Sequence, residues 1–168
     1  MQNAVQVLGK LRAETGHPLD QSEIDLSETN LQGFALYSLN LEKTSFLNAR
    51  MEGAHLTGAK LQGAYLAGAG FNSRITLSDA HFSYAGLIDV DFSETKIAPE
   101  QLDSAFGDAS VILPNGKGPN DSEWPAHWSK VKLPWTEFHA KWHAVKTKNG
   151  FPDLRLKTPS SPPPHIQA

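Results

Sequence analysis

The chain has no cysteine among its 168 residues, which excludes disulfide bonds, catalytic thiolates and thiolate metal sites. It also has no apolar run of about 18 residues, the length of a membrane-spanning helix, and its N-terminus lacks a basic segment followed by an apolar one. We therefore expect neither a transmembrane helix nor a signal peptide. The resulting prediction is a cytoplasmic protein, with a peripheral position at a membrane surface as the alternative.

Motifs of the common catalytic sites are missing as well. The sequence has no glycine-rich phosphate loop, no Gly-x-Ser-x-Gly elbow and no His-Glu-x-x-His pair. His139 and His143 are one helical turn apart, but a metal site needs three or four ligands. No further ligand sits at a matching position nearby, and His127 would join only if the fold brought it to the pair. We therefore expect no enzyme activity, no cofactor and no bound metal.

What the chain has instead is a large apolar residue at every fifth position between Leu26 and Ile97, with one step of six between Phe71 and Leu77. A small residue stands two positions before most of them. The large residues are Leu26, Leu31, Leu36, Leu41, Phe46, Met51, Leu56, Leu61, Leu66, Phe71, Leu77, Phe82, Leu87, Phe92 and Ile97, and the small ones include Ala49, Ala54, Ala59, Ala64, Ala69, Ala80 and Ala85.

A period of five fits neither an α-helix nor a flat strand. On a helix these residues would scatter around the surface, and on a strand successive ones would point to opposite faces. A backbone that turns a corner once per pentapeptide brings every large residue to the inside. The pattern therefore predicts a solenoid whose turns stack on one another.

The pentapeptides from Ala49 to Gly68 each begin with alanine, have leucine or methionine at the centre and end with glycine. They resemble the pentapeptide repeat family. The resemblance implies an all-β solenoid, a right-handed quadrilateral β-helix, and the repeats present would form about four coils at one pentapeptide per side. The sequences at 99–102 (PEQL), 106–108 (FGD) and 124–128 (WPAHW) resemble the C-terminal segment of α-proteobacterial members.

The rest of the chain divides around this repeat region. We predict a capping helix in residues 1–22, the β-helix in 23–97, a C-terminal capping helix in 98–110 that is helical from about 99 to 106, and a disordered tail in 151–168. Between the last two lies a Trp/His/Lys-rich segment, 111–150, with a helix at about 134–147. The extra residue near Asn72 predicts a bulge or short loop at a corner.

One outward column of the predicted β-helix is apolar. If four repeats complete a turn, Leu47, Ala67 and Ile88 stack above one another with Tyr65 beside them. Such a patch is either covered by the C-terminal segment or offered to a partner. It is the best-defined contact surface that the sequence predicts.

The C-terminal segment supplies a second candidate contact surface, formed by aromatic residues among lysines. Packing of these rings against the β-helix is favoured, because short isolated helices are marginal unless docked. An anionic membrane surface and single-stranded nucleic acid are the alternatives. The aromatic residues are Trp124, Trp128, Trp135, Phe138 and Trp142.

Two classes of function remain open. The first is a non-enzymatic structural or protein-interaction module, an adaptor or scaffold, whose partner is another protein or a second copy of the chain; a peripheral membrane scaffold is a variant of it. The second follows from the resemblance, since some family members mimic duplex DNA and bind a DNA topoisomerase. Mimicry needs acidic residues along one face, and here the outward columns mix signs, as with Arg50 and Asp91. Direct binding of nucleic acid is not expected.

Overall fold

The computed structural model describes residues 24–152. The cap predicted for residues 1–22 lies outside this range, as does the tail predicted for 151–168 apart from its first two residues. The regular elements are short, with one exception. They are β1 at Gly86–Leu87, a 3-10 helix at Pro99–Leu102, β2 at Phe106–Gly107, a second 3-10 helix at Pro114–Gly116 and α1 at Trp135–Lys148.

From Asp25 to Ile112 the chain winds as a β-helix, which is defined by hydrogen bonds between successive coils. Asp25 forms a parallel bridge with Ser45, twenty residues later, and similar bridges recur around the coil. The bonds run in both directions. Leu26 N–H donates to the Ser45 carbonyl at 2.8 Å, and Ser45 N–H donates to the Ile24 carbonyl at 3.0 Å. One pentapeptide therefore forms each side of a four-sided coil.

The bridged residues form four outward columns, and we number the sides of the β-helix by them. Side 1 carries Asp25, Ser45, Tyr65, Gly86 and Phe106; side 2 carries Asn30, Arg50, Gly70, Asp91 and Ile112; side 3 carries Ala35, His55 and Thr76; side 4 carries Asn40, Lys60 and His81.

The core of the β-helix is the row of large residues that the period of five predicts. All fifteen are buried except Phe71, which is partly buried and packs against Phe92 with ring centroids 5.0 Å apart. Threonine replaces alanine at some of the small inward positions. Thr29 is fully buried there, and its hydroxyl donates to the Leu26 carbonyl at 2.6 Å, which avoids an unsatisfied polar group in the lumen.

Each corner is a tight turn. The carbonyl of the large inward residue accepts a hydrogen bond from the N–H three residues later, as from Ala54 to Met51 at 2.9 Å. The residue just before that N–H has a left-handed backbone, with φ of 73° at Gly53 and 57° at Glu28. Glycine adopts this conformation freely, whereas another residue does so at a cost of about 1–2 kcal/mol.

The β-helix continues past residue 97, which differs from the predicted capping helix at 98–110. Only Pro99–Leu102 is helical, as a 3-10 turn, and the chain then resumes winding: β2 pairs with β1, and Ile112 bridges Asp91. The reason lies in Gln101, whose amide nitrogen donates to the carbonyls of Leu77 and Ala80, both at 2.8 Å. These bonds to the preceding coil hold the segment in the solenoid path.

Two tryptophans close the far end of the lumen. Trp124 and Trp128 are buried in the same cluster as the inward leucines, with their rings edge to face at 5.3 Å. Trp128 lies against Gly107, where an added Cβ would be 2.6 Å from its ring, and its indole N–H donates to the Ala105 carbonyl at 2.8 Å. Phe106 points outward and packs on Phe138 of α1.

Candidate functional site

The apolar column of side 1 is covered by the chain itself. Tyr65, Ala67 and Ile88 are buried, and Leu47 packs beside them. Their cover comprises residues 124–152, which we call the C-terminal cover. Of the two arrangements open from the sequence, the structure has the covered one, so a partner that needs these four residues must first displace α1. The residues of the cover and of side 1 that complete this cluster are Phe106, Leu133, Phe138, Trp142 and Val145.

Trp142 is the main contact of α1 with side 1. Its ring stacks on Tyr65, with centroids 5.0 Å apart and planes at 24°, and its indole N–H donates to the Tyr84 carbonyl at 2.8 Å. Gly86 makes this seat, since an added Cβ would lie 2.7 Å from the indole ring. On the same helix the Lys146 ammonium is 4.0 Å from the Trp142 ring centroid. The seat therefore requires a residue without a side chain at position 86.

Tyr65 is the polar centre of this contact. The indole N–H of Trp135 donates to its hydroxyl at 3.1 Å, and the His139 ring meets it edge to face at 5.4 Å. Burial raises the pKa of Tyr65 to about 12, an effect opposed by the Trp135 hydrogen bond and reinforced by the charge of Asp89. Tyr65 therefore holds its proton well above the pH at which an exposed tyrosine ionises.

The C-terminal cover is fixed by polar contacts at one edge and by an aromatic contact at the other. At one edge Lys132 pairs with Asp89 at 2.9 Å, while the fully buried Asp108 accepts a hydrogen bond from Leu133 N–H at 2.7 Å. At the other edge Phe151 packs on Tyr84, with ring centroids 5.5 Å apart. The cover thus spans side 1 from the corner after it to the corner before it.

All five aromatic residues of the predicted contact segment face the β-helix. Trp124 and Trp128 close its end, Phe138 and Trp142 lie on side 1, and Trp135 is half-buried against Tyr65. A membrane or single-stranded nucleic acid would need these rings exposed. Among residues 24–152, no helix is both long enough and apolar enough to cross a membrane.

The corner between sides 2 and 3 is open and concave, in contrast to side 1. A cavity of about 450 Å³ lies there. We call it the Arg74 corner. It is lined by Gln32, Gly33, Glu52, Gly53, His55 and Arg74.

The extra residue between Phe71 and Leu77 forms this corner. In most other coils a corner N–H donates to a carbonyl of the next coil, as Gly58 does to Ser78 at 2.9 Å. Gly53 N–H donates instead to the side-chain oxygen of Asn72 at 3.0 Å, and the same oxygen accepts Arg74 N–H at 3.1 Å. Asn72 thus preserves the hydrogen bond between coils while the extra residue places Arg74 outside.

An exposed aromatic pair borders the Arg74 corner on side 3. Tyr37 is 51% exposed and stacks on His55, with centroids 5.3 Å apart and planes at 19°. His55 Nδ1 lies 3.4 Å from the Thr76 hydroxyl, which steadies the ring. Sequence reasoning found the extra residue but missed this site; the signal was the step of six, together with glycine at both corner positions beside it.

A second cavity, of about 330 Å³, lies at the far end of the β-helix. Its floor is apolar, with Ile97, Leu102 and Leu113, and an ion pair of Lys117 with Glu123 stands at its rim. The hydrogen bond from Lys117 lowers the pKa of Glu123, helped by Ser122. The cavity-lining residues contain no nucleophile paired with a base, and residues 24–152 contain no cluster of metal-ligating side chains.

The repeat region matches a protein-family model. A family model described as pentapeptide repeats matches residues 22–58 and 36–72, in eight copies. A search of curated proteins gives no match.

The solved structures that match this chain include pentapeptide repeat proteins. HetL, involved in heterocyst differentiation regulation in the cyanobacterium Nostoc sp. strain PCC 7120, is 21% identical with a TM-score of 0.30, over 59% of each chain, so this chain spans less than two thirds of HetL. The Nostoc protein alr5209 is 20% identical with a TM-score of 0.33, over 76% of this chain and 94% of its own.

Full-length QnrB1, a plasmid-mediated fluoroquinolone resistance protein, is 14% identical with a TM-score of 0.32, over 78% of this chain and 73% of its own. The family model and the coil-to-coil bridges agree on the nature of the repeats. Residues 22–72 therefore carry pentapeptide repeats, as the resemblance of the sequence indicates.

Proposed function

We propose that this protein is a non-enzymatic interaction module, an adaptor or scaffold that binds a protein partner on the faces left open by its C-terminal cover. The observation that carries the proposal is the unequal treatment of the four sides. The chain uses its own aromatic residues to close side 1, while Arg50, His55 and Lys60 on the other three sides belong to columns without such a cover among the described residues.

Rigidity supports this role. Every coil is hydrogen-bonded to the next through short bonds, and the lumen is filled by the inward residues. A surface on such a frame loses little conformational entropy when it binds, which favours recognition by a preformed face. Neither the Arg74 corner nor the cavity at the far end has a lining in which a nucleophile is paired with a base, as an enzyme would need.

Affinity capture tests the proposal. The full chain, immobilised through its N-terminus, is incubated with native lysate of its source organism, with and without crosslinking, and bound proteins are identified by mass spectrometry. A Trp142→Ala variant serves as a comparison, because it exposes side 1. We expect wild type to retain a reproducible protein that excess free chain displaces. If wild type retains none, the module function is wrong.

The topoisomerase alternative lacks a supporting surface. Mimicry of duplex DNA requires negative charge at regular spacing along one face. On side 2 the column contains Arg50, Gly70 and Asp91, and on side 4 it contains Lys60 and His81. We therefore expect purified DNA gyrase to supercoil relaxed plasmid at an unchanged rate in the presence of micromolar protein. Inhibition or protection of gyrase would favour the mimic over the adaptor.

A further inference from the structure

The C-terminal cover meets two corners of the β-helix, and the Arg74 corner is not one of them. The cover meets the corner between sides 4 and 1 at Gly63 and Tyr84, where Phe151 Cβ lies 3.0 Å from an ideal Cβ on Gly63. It meets the corner between sides 1 and 2 at Asp89. The Arg74 corner is diagonally opposite the first of these, so a partner can approach it without touching the cover.

The floor of the Arg74 corner is bare backbone. Gly33 and Gly53 occupy the corner position in two successive coils, and an ideal Cβ on Gly33 would have nothing within 4 Å. Gln32 and Glu52 border the corner toward side 2 and His55 borders it toward side 3, while the Arg74 side chain stands in the next coil, with its Cβ 3.8 Å from an ideal Cβ on Gly53. The corner is therefore a notch into which another chain can place a side chain close to the backbone.

The two charged side chains of the notch, Glu52 and Arg74, differ in their contacts. The Glu52 carboxylate accepts a hydrogen bond from the Gln32 amide at 3.0 Å and leans over Gly70 on side 2, with an oxygen 3.0 Å from an ideal Cβ there. Arg74 is exposed, and within residues 24–152 its guanidinium has no ion pair or side-chain hydrogen bond. The notch therefore presents a guanidinium without an ion-pair partner among the described residues, beside a carboxylate, Glu52, that leans toward side 2.

We propose that the Arg74 corner is the docking site for a carboxylate-bearing segment of a protein partner. Arg74 binds an aspartate or glutamate of that segment through its guanidinium, and the exposed Tyr37–His55 pair takes the adjoining apolar side chain. Arginine suits this task because its planar fork matches a carboxylate with two hydrogen bonds, and exposed tyrosine is a common anchor in interfaces. The inference rests on the proposed module function and names its contact surface.

The test is a titration of the full, 15N-labelled chain followed by amide chemical shifts. The probe is a capped peptide of alternating glutamate and leucine, and its glutamine–leucine counterpart is the neutral control. We expect the acidic peptide to shift the amides of Gly53, His55 and Arg74, and the neutral one to bind at least about tenfold more weakly. Equal binding of both peptides, shifts located elsewhere, or no shift at millimolar peptide would overturn the proposal.

Variants sharpen the test. Arg74→Glu should weaken binding of the acidic peptide by about tenfold or more, Arg74→Lys should weaken it less, and raising the salt concentration should weaken it in wild type. Lys60→Glu, an exposed cation reversed on side 4, is the matched control and should bind like wild type. Equal affinity of Arg74→Glu and wild type would also overturn the proposal.

Lysate capture distinguishes failure of the docking-site proposal from failure of the proposed module function. If wild type and Arg74→Glu retain the same partner equally, the module function stands and the docking site is wrong. If wild type retains no partner, the module function is wrong, and the peptide titration alone decides whether the Arg74 corner binds carboxylates.

Discussion

Side 1 and the Arg74 corner belong to the same β-helix, yet side 1 is covered by the chain itself and the Arg74 corner is open. Gly86 on side 1 and Gly70 on side 2 occupy the same position of the repeat, yet an added Cβ would meet the rigid indole of Trp142 at Gly86 and the flexible end of Glu52 at Gly70. The lumen constrains only the inward residues. Outward positions are therefore free to form an internal contact on one side and an open one on another.

The largest effect on stability is expected from removing Trp142, the main contact between α1 and side 1. Trp142→Ala should reduce the free energy of unfolding by about 3–5 kcal/mol, because it empties the seat on Gly86 and Tyr65. We expect a lower urea midpoint by circular dichroism and self-association by size exclusion, as side 1 becomes exposed. Lys141→Ala, an exposed position on α1, is the control and should cost well under 1 kcal/mol. An unchanged midpoint in Trp142→Ala would mean that α1 adds no stability.

Alkaline pH should loosen the same contact through Tyr65. Its folded pKa of about 12 exceeds the unfolded value of 10.0, so its contribution to stability is complete below pH 10 and declines as the pH rises toward 12. The loss at pH 12 should be about 2–3 kcal/mol. Urea unfolding at pH 9 to 11.5 measures it, and Tyr65→Phe should show a shallower decline. Parallel curves for the two proteins would contradict the role of Tyr65.

A matched pair of glycine variants compares the two sides directly. Gly86→Ala should destabilise by about 1–3 kcal/mol because the Trp142 ring must move, whereas Gly70→Ala displaces only the end of Glu52 and should be nearly neutral. Differential scanning calorimetry of both variants measures the difference. Equal melting temperatures would show that the cover does not seat on Gly86.

The smallest expected effect concerns the Arg74 corner. Asn72→Ala leaves Gly53 N–H without its acceptor, and because the site is only half-buried the cost should be about 1 kcal/mol. Hydrogen exchange of the Gly53 amide should accelerate, while Gly58, whose N–H donates to the Ser78 carbonyl, stays protected and serves as the internal control. Unchanged exchange at Gly53 would remove the structural role assigned to Asn72.

The sequence alone predicted which residues fill the lumen and which apolar residues align on side 1. A strict period fixes which residues point inward, and four repeats per turn place Leu47, Ala67 and Ile88 in one column. It was misleading after Leu102, where the chain resumes winding although a helix is predicted to about residue 106, because Gln101 bonds to carbonyls of the preceding coil. Such bonds depend on coil alignment, which local propensity does not contain.

The Arg74 corner could not be predicted from the sequence, because it too depends on how successive coils align. The step of six marks a bulge, but the acceptor role of Asn72 emerges only when the preceding coil is laid beside it. The N-terminal cap and the cytoplasmic location stay predictions.

The closed end of the lumen also bears on self-assembly. A β-helix ends in unpaired backbone groups, and identical copies stacked through such ends grow into fibres. Here the Trp128 indole N–H donates a hydrogen bond to the Ala105 carbonyl, and Ser129 N–H donates one to the Gly107 carbonyl at 3.3 Å. With those acceptors occupied and Trp128 lying over Gly107, another copy cannot pair with these two carbonyls. The contact therefore disfavours end-to-end stacking on side 1.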